Sequence, residues 1–96
     1  DSETTPGLPQ GTRTENNNDD PVTWETNASS LFSGTNTLRI EANGMIDMDD
    51  WFFTNGIQLT GGTEYELGFM YESGWDEDLA VKYGTEATAA SMTNTI

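Results

Sequence analysis

Residues 49–92 read DDWFFTNGIQLTGGTEYELGFMYESGWDEDLAVKYGTEATAASM, and the reading of this stretch decides the fold. It carries the densest apolar residues of the chain and two of its three tryptophans, so it is the part best able to build and cover a core. Between Glu64 and Glu72 the residues alternate: Tyr65, Leu67, Phe69 and Tyr71 fall on one face, and Glu64, Glu66, Met70 and Glu72 on the other. Successive side chains of a strand point to opposite faces, so a period of two predicts a half-buried strand here. Upstream, Trp51-Phe52-Phe53 and Ile57-Gln58-Leu59 flank Asn55-Gly56, and Gly61-Gly62 turns the chain into the long strand. Downstream, Leu79, Val81 and Tyr83 alternate with Ala80 and Lys82. The pattern predicts three antiparallel strands.

The same residues carry a family resemblance. An acidic pair before Trp (Asp49-Asp50-Trp51) is followed by Ile57-Gln58-Leu59, Gly61-Gly62-Thr63 and the Tyr65 to Tyr71 strand. Then come Val81-Lys82-Tyr83-Gly84-Thr85 and Ala89-Ala90-Ser91-Met92. This order resembles the choice-of-anchor J and cleaved-adhesin group, MAM-like jelly-roll domains of secreted bacterial surface proteins of the Bacteroidetes type. The resemblance implies an antiparallel β-sandwich, secretion or cell-surface display, and core positions for Trp24, Trp51, Tyr65, Phe69 and Tyr71. Gly7-Leu8-Pro9-Gln10-Gly11 resembles the family's opening segment, with Thr12 in place of its aromatic residue. Thr37-Leu38-Arg39-Ile40-Glu41 resembles the strand before the acidic-Trp segment, with Leu38 and Ile40 inward and Arg39 and Glu41 outward. Family members run past the Ala/Thr/Met segment into further strands. The sandwich is therefore expected to be incomplete without further strands of a longer chain or of a partner, because an open core face and free sheet edges are what soluble proteins avoid.

Composition sets the limits. Ninety-six residues make one domain, read here as a single partial jelly-roll-like unit over 1–96 with residues 1–20 as a polar lead-in that lies on the surface or wraps a sheet edge. A chain of this size buries roughly 60–65% of its unfolded surface. With 33% hydrophobic residues, 10 glycines and no cysteine, neither a large core nor disulfides can compensate. A metal ion or extra strands are the remaining staples. Seventeen acids against Arg13, Arg39 and Lys82 give a net charge of −14, which opposes nucleic acid and anionic membrane surfaces alike. It fits cation binding, a saline habitat or colloidal solubility. No apolar run reaches the roughly 20 residues that span a bilayer, so membrane insertion is not expected.

The strongest ligand-like cluster is Glu15-Asn16-Asn17-Asn18-Asp19-Asp20, closed by Pro21 and followed by Val22-Thr23-Trp24-Glu25. Calcium takes six to eight oxygen ligands, and an irregular loop of carboxylates and amides supplies several. The spacing does not fit an EF-hand loop. A solvated Asx-rich turn explains the same residues, since Asn and Asp favour turns through local hydrogen bonds. Related domains carry an Asp-rich loop before a strand Trp, in several cases holding structural calcium, which points to Asn18, Asp19 and Asp20 as ligands.

Residues 27–33 read as a loop, and Asn43-Gly44 marks the turn that returns the chain to Asp49. Histidine and cysteine are absent, removing the commonest general base, the usual zinc ligands and the thiol nucleophile together. Asp49, Asp50, Asp76, Glu77 and Asp78 are the remaining acid candidates, in an acidic, turn-rich setting and without chain length for a cleft. The chain is read as non-enzymatic. Trp75, with Asp76 beside it in a polar turn, is the candidate for stacking on a carbohydrate, against the alternative of an indole folded back over the sheet edge. The expected function is adhesion or binding to carbohydrate or a cell-surface protein. The competing readings are a structural spacer or filament subunit, self-assembled or strand-complemented, and an accessory domain of a secreted hydrolase or peptidase.

Overall fold

The computed structural model describes residues 2–74 and 77–96. Apart from one 3₁₀ turn at Ala89–Ser91, all regular structure among these residues is β. The strands are β1 (Arg13–Asn16), β2 (Glu25–Ala28), β3 (Asn36–Arg39), β4 (Asp50–Phe53), β5 (Lys82–Tyr83) and β6 (Asn94–Thr95). They form three antiparallel ribbons of two strands each, β1–β4, β2–β3 and β5–β6.

The aromatic run Trp51-Phe52-Phe53 favours a pleated, half-buried surface and makes β4. Trp51 and Phe53 share one face and stack with ring centroids 5.9 Å apart. Phe53, 4% exposed, is the one buried apolar side chain among the described residues. Phe52 points the other way, into an open groove of about 260 Å³ that it lines with Pro9, Thr26, Thr37 and Leu38. The partner of β4 is β1, in the register Arg13↔Phe53 to Asn16↔Asp50. The segment read as a lead-in thus supplies a strand as polar as Arg-Thr-Glu-Asn, because β4 needs a backbone partner whatever that partner's side chains.

Earlier in the chain, residues 3–7 run along the β2–β3 ribbon. The Thr26 amide donates to the Pro6 carbonyl, the Thr26 hydroxyl to the Gly7 carbonyl, and Asn36 Nδ2 to the Glu3 carbonyl. β2 runs into Asn27 and Ala28, which the sequence assigned to a loop. Arg39 lies outward as expected, between Glu25 and Glu41 at 3.2 Å from each. Its neighbour Leu38, expected inward, stays 40% exposed on the wall of the groove.

Around residues 57–72 the expectation from alternation is overturned. Ile57–Leu59 and residues 64–72 join no strand pair, and Tyr65, Leu67, Phe69 and Tyr71 are 52–65% exposed rather than core. The physical reason is the missing neighbour: a strand is held by another about 4.8 Å away, and no strand among the described residues is laid against this segment, although each ribbon of two keeps a free edge. The third predicted strand shrinks to Lys82–Tyr83, extended by the Ile96 amide donating to the Val81 carbonyl. Gly84 follows it because a Cβ there would collide with the Ser91 carbonyl. The C-terminal ribbon is tied back to the first by Lys82 Nζ, 5.7 Å from the Trp51 ring centre, and by the Ala89 amide donating to Glu15 Oε1 at 3.2 Å.

The accessible surface is 7655 Å², against about 5,400 Å² for a folded monomer of 10.5 kDa. The chain is open.

Candidate functional site

Antiparallel pairing of β1 with β4 sets the end of one strand beside the start of the other, with Asn16 opposite Asp50. The loop leaving β1 therefore meets the loop entering β4. The Asn17 amide donates to the Asp49 carbonyl at 3.0 Å and continues the contact past the ladder.

Asp19 adopts φ of 60°, the left-handed region that Asp tolerates better than most residues, and its side chain is exposed. The turn at Asp19 sends its two neighbours inward. Asp20 is 6% exposed, with Oδ1 accepting from the Val22 amide at 3.0 Å and Oδ2 accepting from Asn18 Nδ2 and Asn43 Nδ2, each at 3.2 Å. Asn18 Nδ2 also reaches the Asp47 carbonyl at 2.9 Å and Asp50 Oδ2 at 3.4 Å. Asn16 Nδ2 holds the Asp20 carbonyl. Trp24 Nε1 also donates to the Asp50 carbonyl at 3.1 Å, which ties the half-buried indole to the cluster.

Two carboxylates, two amides and a backbone carbonyl from two separate stretches, 18–20 and 43–50, converge in this way. Asp50 Oδ1 is shielded from solvent and has no hydrogen-bond partner. Burial pushes the Asp50 carboxyl above its ordinary value of 3.8, and the charge of Asp20 and then of Asp49 adds to the rise. The backbone at Asp49 and the Asn18 side chain oppose it by hydrogen bonding. The cluster lacks positive charge: Asn18 and Asn43 turn their NH₂ groups toward the acids because no lysine or arginine side chain reaches them.

Of the three residues picked from sequence, Asn18 and Asp20 are brought together and Asp19 shapes the turn between them. Asn43 and Asp47 join them from the loop before β4, and Asp50 from the first position of β4. That loop is as rich in oxygen as the first, and only the β1–β4 register reveals that the two meet. Among the described residues no three carboxylate, thiol or imidazole side chains converge, so the cluster's remaining oxygens are amide and backbone. These oxygens are the hard ligands that calcium takes, and rotating each amide by a half-turn would present its oxygen in place of its nitrogen.

Trp75 and Asp76, the carbohydrate candidates, lie outside the described residues. Asp49, considered as an acid, instead accepts from Trp51 Nε1 at 2.9 Å in an exposed position. Glu77 and Asp78 are exposed, and the groove beside Phe52 holds Glu3 as its one charged residue. Comparison with protein-family models, curated proteins and solved structures returns no match for this chain.

Proposed function

We propose that the chain is a non-catalytic adhesion or binding module of a secreted or cell-surface bacterial protein, an antiparallel sandwich of jelly-roll type with calcium as its structural ion. The observation that carries this reading is the meeting of Asp20 and Asp50 with the Asp50 Oδ1 atom buried and unpaired. A divalent cation there would engage Asp20, Asp50, the Asp47 carbonyl and the side chains of Asn18 and Asn43, and would supply the missing positive charge. It would join the loop before β2, the loop before β4 and β4 itself. A metal held this way substitutes for the apolar core that a chain with one buried phenylalanine among its described residues lacks.

Carbohydrate is the ligand class favoured for the module, through Trp75 with Asp76, on the sequence argument alone. A second reading, a spacer or assembly subunit completed by strands from elsewhere, is favoured by the exposed apolar row from Tyr65 to Tyr71. The test of the calcium-stapled module is a calorimetric titration of the chain with calcium chloride, paired with thermal melts in calcium and in chelator. One bound ion and a higher melting temperature support it, since a ligand that binds only the folded state stabilises it by mass action. No heat of binding and identical melts reject it.

A further inference from the structure

We propose that residues 64–72 accept a strand from a different polypeptide, one in which apolar residues alternate with lysine or arginine. This rests on the reading of the chain as a sandwich module open on one side. Three observations lead to a strand as the occupant. The backbone of residues 64–72 makes no hydrogen bond to another described residue. The segment spans about 30 Å when extended, longer than any strand paired among the described residues. Phe69 and Tyr71 already lie side by side, ring centres 6.3 Å apart, as residues two apart on one strand face do.

Over the whole chain roughly 2,200 Å² more surface is exposed than in a closed monomer of its mass, which is more than the about 800 Å² that one side of a standard interface covers.

Charge then selects which strand. Glu64, Glu66 and Glu72, with Met70, form the second face of the segment, and Glu77 and Asp78 follow in a chain of net charge −14. A second copy paired antiparallel about Gly68 would set Glu64 directly against Glu72 twice, and like charges opposite one another destabilise a sheet. Among the described residues Arg13, Arg39 and Lys82 lie one to a strand in β1, β3 and β5, so none of these strands presents a row of cations to the three glutamates. A partner with lysine or arginine opposite the glutamates, and apolar residues beside Leu67 and Phe69, satisfies both faces at once.

The test is amide hydrogen exchange of the full chain with three nonapeptides, in which valine alternates with lysine, with threonine or with glutamate. The lysine peptide is expected to slow exchange across 64–72 most, and added salt to weaken it. Replacing all three acids (Glu64→Lys, Glu66→Lys, Glu72→Lys) at these exposed positions is expected to reverse the order in favour of the glutamate peptide, by about threefold or more. Equal protection by the threonine peptide overturns the charge selection. Protection that grows with protein concentration and no peptide makes a second copy the occupant and overturns the proposal. If no peptide protects while calcium still raises the melting temperature, the strand-acceptor inference fails and the module reading stands.

Discussion

Replacing Asp50 by asparagine changes stability in opposite directions with and without calcium. Asp50 Oδ1 is buried without a partner and faces the charge of Asp20. A buried acceptor left unsatisfied costs about 1–3 kcal/mol, so in chelator the neutral amide is expected to stabilise the chain by about 1 kcal/mol. For a domain of this size that is a rise of about 4–8 °C in melting temperature. At a calcium concentration a hundred times its dissociation constant the wild-type chain gains about 2.7 kcal/mol, or about 10–20 °C. The Asp50→Asn variant forfeits most of this, because one of two anionic ligands is gone. The assay is a pair of melts for each protein, in calcium and in chelator, followed by tryptophan fluorescence. A variant that keeps the full calcium shift refutes the assignment of Asp50 as a ligand. A variant destabilised equally in both conditions refutes the argument that its carboxylate is strained, and makes it an ordinary packing residue.

Phe53→Ala removes the buried apolar side chain of the β1–β4 ribbon, and with a typical cost of about 3–5 kcal/mol it is expected to leave the chain unfolded by circular dichroism at 25 °C in chelator. Gly84→Ala drives a Cβ into the Ser91 carbonyl, so faster amide exchange at Tyr83 and Ile96 is expected while Thr26 keeps its protection. In chelator, the native state holds a proton on Asp50 that the unfolded chain releases, so this group's contribution to stability falls as pH rises from about 3.8 through the higher folded value. Urea titrations across that range are expected to show the wild type losing ground to the Asp50→Asn variant as pH rises; a pH-independent difference contradicts the shift. Saturating calcium is expected to slow exchange at Asp20 and Val22 and leave residues 64–72 unchanged, and a slowing at both places would join two features that the structure keeps apart.

The sequence reading identified the β class and the aromatic β4 region, because both follow from local pattern: Trp51 and Phe53 at spacing two need no knowledge of a partner. It misplaced what depends on pairing. The alternation over 64–72 describes a strand that would be half-buried if a neighbour existed, and periodicity carries no information about the neighbour. β1 was hidden for the converse reason, since its four residues are polar and enter a ladder through backbone groups alone. The oxygen cluster was half legible. Asn18 and Asp20 stand together in one run, but Asn43 and Asp50 arrive 23 and 30 residues after Asp20, through a register that no local rule supplies. Asp19 looked like its neighbours by type, and its positive φ turns it to solvent.

The two open features differ in what they lack. Buried polar atoms hold a fold in shape only when satisfied. Thr26 meets this through the Pro6 and Gly7 carbonyls, and Asp20 through Val22, Asn18 and Asn43. Asp50 Oδ1 does not, and it lies where the stretches 18–20 and 43–50 meet. Its deficit is positive charge. The deficit at Tyr65, Leu67, Phe69 and Tyr71 is apolar cover and a backbone partner, which no ion can provide. A strand laid along 64–72 would in turn do nothing for a carboxylate oxygen enclosed beside Asp20. The proposed module thus needs two separate supports, an ion to fix the loops around β4 and a strand to close the exposed row. With 7655 Å² of surface and a single buried phenylalanine among the described residues, a chain that gained only one of them would remain partly open, with either the loops or the apolar row unsupported.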